Sequence, residues 1–327
     1  MEPLVTVIIT TFNRELTLKR AITSVIHQSY NNLEIIISDN ASLDGTLVIA
    51  NNFLNIDKRI HIYCHSANVG MRKNFEFAIQ KSTGKYITFL SSDDEFNNTD
   101  FILSAVSQLE LYPSVGLCHS INLLKNDFSN TLSLDFSYTQ AKFLYTSTPV
   151  NGRYVFLGFA LINLASFGGT LFRTEIFLSY SHFKPGIYSF DVETILRLLL
   201  VSDIIFLPCQ SYIFHNNSSS FTSGLRSPRV YISNLRYIDS SYQDASESRL
   251  FSELILYVWR SLVTADYISN VLMNYILSRS KGAAIIHSFL LRNRPFVLPF
   301  LYLRLLHRLS WNMLVSIKAY LSGFVYG

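Results

Sequence analysis

LVTVIITTFNR at residues 4–14 and LEIIISDNASLDGT at residues 33–46 decide the fold. Each opens as a run of β-branched, apolar residues and breaks off into small polar ones. That is the pattern of a buried strand and the turn after it. Between them, Arg14–His27 carries Leu16, Ile22, Val25 and Ile26 at helical spacing. The unit then recurs. Asp44–Leu54 reads as a helix with a cap at Ser42-x-Asp44, and Arg59–His65 as a third strand. Met71–Lys81 is helical, Lys85–Ser91 (KYITFLS) a fourth strand, Asn98–Tyr112 a helix and Val115–Leu124 a fifth strand. Strands alternating with helices predict βαβ units and a mainly parallel sheet, an α/β fold.

Ligands of such sheets bind beyond the carboxyl ends of the strands. Those ends read Thr10-Thr11-Phe12-Asn13-Arg14, Ser38-Asp39-Asn40, Asn68-Val69-Gly70 and Ser91-Ser92-Asp93-Asp94-Glu95. Polar and acidic groups collect on one edge. No GxGxxG or GxxxxGK occurs, so neither a dinucleotide fingerprint nor a P-loop is supported. An acidic edge needs a bridging cation to hold a phosphate. Asp93-Asp94-Glu95 is a plausible holder of a hard divalent ion, which prefers oxygen ligands.

Further along, residues 127–167 are rich in Ser, Thr and aromatics and suit an irregular, acceptor-facing region. Tyrosines between Tyr138 and Tyr154 are candidates for stacking on sugars. Gly168–Phe172 reads as a short strand, Phe190–Val201 as a helix, Ile204–His215 as a strand and Asn216–Gly224 as a polar loop. From Tyr231 onward the pattern is helical. Between Arg153 and Arg173 the chain is uncharged, near the length of a membrane span. Glycines 158, 168 and 169 with Asn163 favour a buried strand and loop instead.

The 327 residues suffice for about two domains and for a core without disulfide or metal support. Charged residues are 15%, below the roughly 25% of an ordinary soluble protein. That excludes disorder and coiled coil, and suggests membrane contact or a largely hidden surface. Three scattered cysteines, Cys64, Cys118 and Cys209, form neither a disulfide framework nor a CxxC site, which fits a reduced cytosol. No targeting segment is read at the N-terminus. Residues 279–327 hold seven Lys/Arg and no Asp/Glu, so the rest of the chain carries 27 − 7 = 20 basic against 23 acidic groups. A basic tail on a mildly acidic body suggests an anionic partner surface.

In this order, TTFNR, SDNASLDGT, NVG, SSDDE, GGTLFR, FDVETILR and YIFHNNSSS, the motifs resemble the family 2 glycosyltransferases of the GT-A fold. The resemblance covers roughly residues 4–220. It implies a GT-A domain over 1–225 and a helical, basic, amphipathic region over 226–327. It implies a nucleotide-sugar donor held by Thr11, Phe12, Asn13, Arg14, Asp39, Asn68, Gly70, Asn74 and Asp93, with Asp39 accepting from the base. Asp93, Asp94 and His215 are the implied metal residues, for Mn²⁺ or Mg²⁺. Asp191 matches the second acid of the family's Glu-Asp element, the usual catalytic base. Two departures stand out: Ser91 replaces the first aspartate of the Asp-Ser-Asp-Asp pattern, and Phe190 replaces the first acid of Glu-Asp. The QxxRW pattern of processive synthases is absent, which favours one sugar per encounter.

Each residue also has a purely structural reading. Asp93 and Asp94 could cap the helix at 98–112, Asp39 could close an Asx-turn, and Asp191 could favour a helix dipole. His215 could be a strand-end histidine without a ligand. Asn13, Arg14, Asn68 and Asn74 could only shape loops. Glu193 is a rival base, and Arg197 reads as an ion-pair former.

The tail places Arg304, His307, Arg308, Trp311 and Asn312 on one stripe of Phe300–Leu321. With Arg292 and Arg294 it reads as helices lying in a membrane interface, their basic residues on anionic headgroups. The expected function is therefore an inverting, metal-dependent transfer of one sugar to a lipid-linked glycan acceptor. It belongs to O-antigen or capsule synthesis at the cytoplasmic face of the inner membrane. Nucleic acid is not an expected partner, because the tail is apolar between its charges. The alternatives are an inactive, nucleotide-binding scaffold or a nucleic-acid-binding protein that uses the tail.

Overall fold

The computed structural model describes residues 2–134, 142–159, 167–180, 183–216, 232, 234–277, 290, 294 and 297–301. The chain divides into two compact units, Met1–Gly224 and Leu225–Gly327.

The first unit begins with β1 (Val5–Thr11), α1 (Leu18–Ile26), β2 (Leu33–Asp39), α2 (Thr46–Leu54), β3 (Ile60–Cys64) and α3 (Met71–Lys81). It continues with β4 (Tyr86–Ser91), β5 (Glu95–Phe96), α4 (Phe101–Leu111), β6 (Val115–Asn126) and β7 (Thr131–Leu134). After β8 (Pro149–Val150) come α5 (Gly152–Leu157), β9 (Thr170–Arg173), α6 (Thr174–Tyr180), α7 (Phe190–Val201) and β10 (Asp203–Asn216). The strands form one sheet in the order β3-β2-β1-β4-β9-β6-β10-β5, with β7 on β6 and β8 on β10. β1 runs parallel to both β2 and β4, β2 to β3, and β10 to β6. β9 runs antiparallel between β4 and β6.

In the first unit the expected strands and helices are present. β1 and β2 are buried along both faces, as central strands of a parallel sheet covered by helices must be. That is why they read as continuous apolar runs and do not alternate. α1 buries Leu18, Ala21, Ile22 and Val25, spaced as one helical stripe. It starts later than the apolar spacing predicts. Arg14–Thr17 form a turn instead, with the amides of Thr17 and Leu18 on the Arg14 carbonyl. The sequence reading misses β5, β7, β8, α5 and α6. All are two to seven residues long, too short for periodicity to register. The uncharged stretch tested as a span contains α5 and β9.

In the second unit, α8 (Arg236–Glu247) precedes α9 (Glu253–Leu277). Asp239 on α8 pairs with Arg260 on α9 at 2.6 Å and with Arg294, and the Arg260 guanidinium lies 5.0 Å from the Tyr242 ring centre. Arg294 therefore departs from the headgroup role expected of it. It is buried against a carboxylate of its own unit. Arg292, Arg304, His307, Arg308, Trp311 and Asn312 lie outside the described residues, as do Tyr138 and most of the 216–224 loop. Among the described residues no helix is long and apolar enough to cross a membrane.

Candidate active site

The carboxyl ends of β1 and β2 open into two loops zipped together by side chains. Asn13 stands at φ 51°, a left-handed conformation that asparagine tolerates. Its amide donates to Ser42 Oγ at 2.9 Å, and its Oδ1 accepts from the Leu43 amide at 2.9 Å. The Arg14 amide donates to Thr46 Oγ1 at 2.7 Å, and the Gly45 amide to Glu15 Oε2 at 2.8 Å. Asp44 accepts from the Thr46 amide at 3.0 Å just ahead of α2, but the N-cap of that helix is Gly45 and not the Ser42 or Asp44 expected there. Thr11 is buried, and its Oγ1 has no protein partner. Phe12 is exposed.

Asp39 is fully buried and accepts from the Ser42 amide at 2.9 Å and Ser42 Oγ at 2.5 Å. That is a turn of the kind its structural reading describes. Asn40 Nδ2 donates to Asn68 Oδ1 at 3.0 Å, and the Gly70 amide donates to the same oxygen at 2.9 Å. Gly70 has φ 85°, where a Cβ would be strained. Asn74 is buried, accepts from Ser38 Oγ at 2.6 Å and contacts His65 Nε2 at 3.1 Å. Asn68, Gly70 and Asn74 thus build the wall of the loop cluster.

The acid turn follows β4. Asp93 and Asp94 do not cap α4, whose N-cap is Asp100. Asp94 is buried and fully engaged: Oδ2 accepts from Tyr212 Oη at 2.8 Å and Oδ1 from the His215 amide at 2.9 Å. Burial, with Asp93 alongside, pushes its carboxyl up to about 8. The Asp93 carboxylate points elsewhere, to the Arg14 guanidinium at 3.6 Å. The His215 ring sits between two acids, Nδ1 to Asp127 at 2.8 Å and Nε2 to Glu95 at 3.1 Å. Both ring nitrogens of His215 thus lie within hydrogen-bond reach of a carboxylate.

Among the described residues no three His, Cys, Asp or Glu side chains are grouped to hold a metal by themselves. Magnesium-like ions, however, are commonly held by one or two carboxylates together with substrate phosphates. Asp93, the carboxylate of this turn that the scaffold does not consume, fits that use.

At the first turn of α7, Asp191 is partly exposed, yet burial among protein atoms pushes its carboxyl up to about 6. Glu193, its rival, is fully buried and pairs with Arg197 at 2.8 Å and Lys184 at 3.7 Å. Arg197 also donates to the Tyr180 carbonyl at 2.5 Å, the ion-pair former it reads as. Phe190 packs on Phe183 and Phe75, with centroids 4.6 and 5.4 Å away. Phe75 also contacts Phe89 of β4 at 5.8 Å. One ring therefore separates the start of α7 from the strand that carries the acid turn. Gly169, at φ 68°, lets its loop approach β6. A Cβ there would lie 2.3 Å from Asn122 Oδ1.

Sequence reasoning missed Arg20, Tyr212 and Asp127 as parts of this site. Each acts across more than 70 residues, and no local pattern marks such contacts.

The sheet order, the acid turn and the loop cluster define a nucleotide-sugar transferase fold of GT-A type. The family model for glycosyl transferase family 2 matches residues 6–177, and the chain belongs to that family. A relative is the GalNAc(5)-diNAcBac-PP-undecaprenol beta-1,3-glucosyltransferase of Campylobacter jejuni, 32% identical over 136 residues, 41% of this chain and 42% of that protein. The match thus spans about two fifths of the relative's length. Among solved structures, S. aureus TarS 1–349 in complex with UDP-GlcNAc superposes with a TM-score of 0.62 at 16% identity, over 91% of this chain and 78% of that one. The mannosyltransferase PcManGT of Pyrobaculum calidifontis, in complex with GDP-Man and Mn²⁺, gives 0.57 at 16% identity, over 96% and 88%. At such identity these two likenesses establish the fold.

Proposed function

We propose that the protein is an inverting, metal-dependent glycosyltransferase. It moves one sugar from a nucleotide-sugar donor to a lipid-linked glycan in the synthesis of a bacterial surface polysaccharide such as O-antigen or capsule. The observation that carries the reading is Asp191: a partly exposed carboxylate whose proton affinity is raised by its surroundings, beside a Glu193 committed to ion pairs.

Asp191 takes the proton of the acceptor hydroxyl as that oxygen attacks the anomeric carbon. The new bond forms on the face opposite the breaking bond to the nucleoside diphosphate, so the configuration inverts. A carboxyl raised to about 6 is still ionised at neutral pH but more basic than an ordinary aspartate, which suits a general base. Thr11, Phe12, Asp39 and the Asn13–Arg14 turn bind the nucleoside, and the Asn68–Gly70 wall limits its pocket. Asp93 would hold a divalent cation, which would offset the charge growing on the leaving group. Arg14, already beside Asp93, adds positive charge there. His215 and Asp94 support the turn from behind.

The undecaprenol-linked name of the Campylobacter relative and the basic, apolar-interleaved tail favour a lipid-linked acceptor. They also favour peripheral attachment at the cytoplasmic face of the inner membrane. The residues at 91 and 190 motivate one competitor, an inactive nucleotide-binding scaffold. The deciding experiment is titration of UDP, GDP, CDP and dTDP into the protein with and without Mn²⁺, beside Asp93→Ala. It is followed by donor turnover of the parent and Asp191→Asn. One nucleotide bound in a Mn²⁺- and Asp93-dependent way, with turnover lost in Asp191→Asn, supports the transferase. Binding without turnover in the parent supports the scaffold. A folded sample that binds none of the four overturns both.

A further inference from the structure

One stripe of α1 runs along the whole segment from the acid turn to the start of α4. Arg20 and Ser24, four residues apart on α1, share a face, and Gln28 continues the row just past the helix, which ends at Ile26. The Arg20 guanidinium donates to the main-chain carbonyl of Asp93. Ser24 Oγ accepts from the Phe96 amide at 3.0 Å. Gln28 Nε2 donates to the Asn98 carbonyl at 2.9 Å, and its Oε1 accepts from the Ile102 amide at 3.3 Å. The Ser29 amide adds a bond to the Thr99 carbonyl at 2.9 Å. The opposite stripe of α1 is anchored in the core by Leu18, Ala21, Ile22 and Val25.

We infer that this stripe is a ruler for the acid turn and that Arg20 is a positioning residue for Asp93. The carbonyl it holds belongs to the planar peptide that joins Asp93 to Asp94. Fixing that plane fixes ψ of Asp93 and φ of Asp94 together. One carboxylate is then aimed at Arg14 and the other at Tyr212 and the His215 amide. Without Arg20 that peptide plane keeps one anchor in place of two, the bond from its Asp94 amide to the Ser91 carbonyl. A guanidinium suits the task because its donors are fixed in a planar fork. An open surface groove lined by Lys19, Arg20, Thr23, His27 and Phe96 among others adjoins the stripe.

The inference rests on the role proposed for Asp93, and the test separates the two. Arg20→Ala, Arg20→Lys and Asp93→Ala are compared with the parent. The readouts are calorimetric affinity for the best binder among UDP, GDP, CDP and dTDP, with and without Mn²⁺, and amide hydrogen exchange across residues 93–96. For Arg20→Ala we expect a loss of roughly tenfold in the Mn²⁺-dependent affinity, the lower end for a residue that orients a metal ligand. Metal-free affinity should stay unchanged and exchange at 93–96 should be faster. Arg20→Lys should recover most of the loss, since one donor still reaches the carbonyl. If Asp93→Ala weakens Mn²⁺-dependent binding while Arg20→Ala binds like the parent, the ruler is overturned and Asp93 stands. If Asp93→Ala itself binds like the parent, the reading of Asp93 fails and the ruler with it. Equal loss with and without Mn²⁺ in both Arg20 variants, or unchanged exchange at 93–96, also overturns it.

Discussion

The acid turn after β4 and the first turn of α7 solve the same problem in different geometries. Each contains a pair of acids close in sequence, and in each pair one is buried and the other partly exposed. In the turn the acids are adjacent. Asp94 goes inward to Tyr212 and the His215 amide, and Asp93 turns outward to Arg14. In the helix they are two apart, which puts them on opposite faces. Glu193 faces in, one turn before Arg197, while Asp191 stays partly exposed. The difference teaches that counting acids does not find the reactive one. Its partner inventory does: both oxygens of Asp94 accept from fixed donors, and Glu193 is paired with Arg197.

The comparison breaks most visibly at α7. Asp191→Asn should lower kcat by about 10²–10⁴-fold, the usual contribution of a positioned base, with nucleotide affinity intact. Glu193→Gln should instead cost about 3–5 kcal/mol of stability by removing the carboxylate charge opposite Arg197 in a buried site, read from urea unfolding. If Glu193→Gln abolishes turnover at parental stability and Asp191→Asn does not, the two roles are exchanged.

A smaller effect separates the acids of the turn. Asp93→Asn should lose roughly 10-fold or more of Mn²⁺-dependent nucleotide affinity with little change in melting temperature. Asp94→Ala should cost about 1–3 kcal/mol by stranding the Tyr212 hydroxyl and the His215 amide, a loss visible without any ligand. Should Asp94→Ala melt like the parent, the division of labour in the turn is wrong.

The pH profile sharpens the assignment of the base. Only ionised Asp191 accepts a proton, so kcat should fall about tenfold per pH unit below about 6. The limb should vanish in Asp191→Asn. The stability sign is opposite. Its folded value, about 6, lies above the unfolded 3.8, so this group's contribution is full below pH 3.8 and lost as pH rises through 6. Asp191→Asn should therefore melt above the parent at pH 8 and level with it near pH 3.5. Equal melting at pH 8 would mean that the carboxylate is not desolvated.

The smallest change expected is a gain. Ser91→Asp restores a carboxylate at the end of β4 and should tighten Mn²⁺ binding, because affinity for hard cations follows ligand charge. The gain should be smaller than the loss in Asp93→Asn. No gain would place residue 91 outside the cation's reach.

Much of this was legible in the chain. Buried parallel strands must be continuously apolar, so β1, β2 and β4 announced themselves, and α3 and α7 matched their expected ends because 3.6-residue periodicity survives over three turns. The strand-end motifs carried the family resemblance. Less legible was which member of a polar cluster does what. Asp39, Asn74 and His215 also make contacts with Ser42, Ser38 and two flanking acids, which no local pattern shows. Arg294 reads as a headgroup anchor, but Asp239 claims it.

Pattern along the chain is enough to set the sheet, its helices and the family to which the chain belongs. All of these depend on patterns local to a few residues or repeated at a fixed period. Only the tertiary structure decided that Asp94 is a brace, that Glu193 is neutralised, that Phe190 packs among aromatic rings beside Asp191 and that Arg20 holds the acid turn. Those outcomes depend on which distant donors, rings and charges the fold brings within a few ångströms. A hydrogen bond or ion pair formed across a hundred residues leaves no trace in the spacing of either partner.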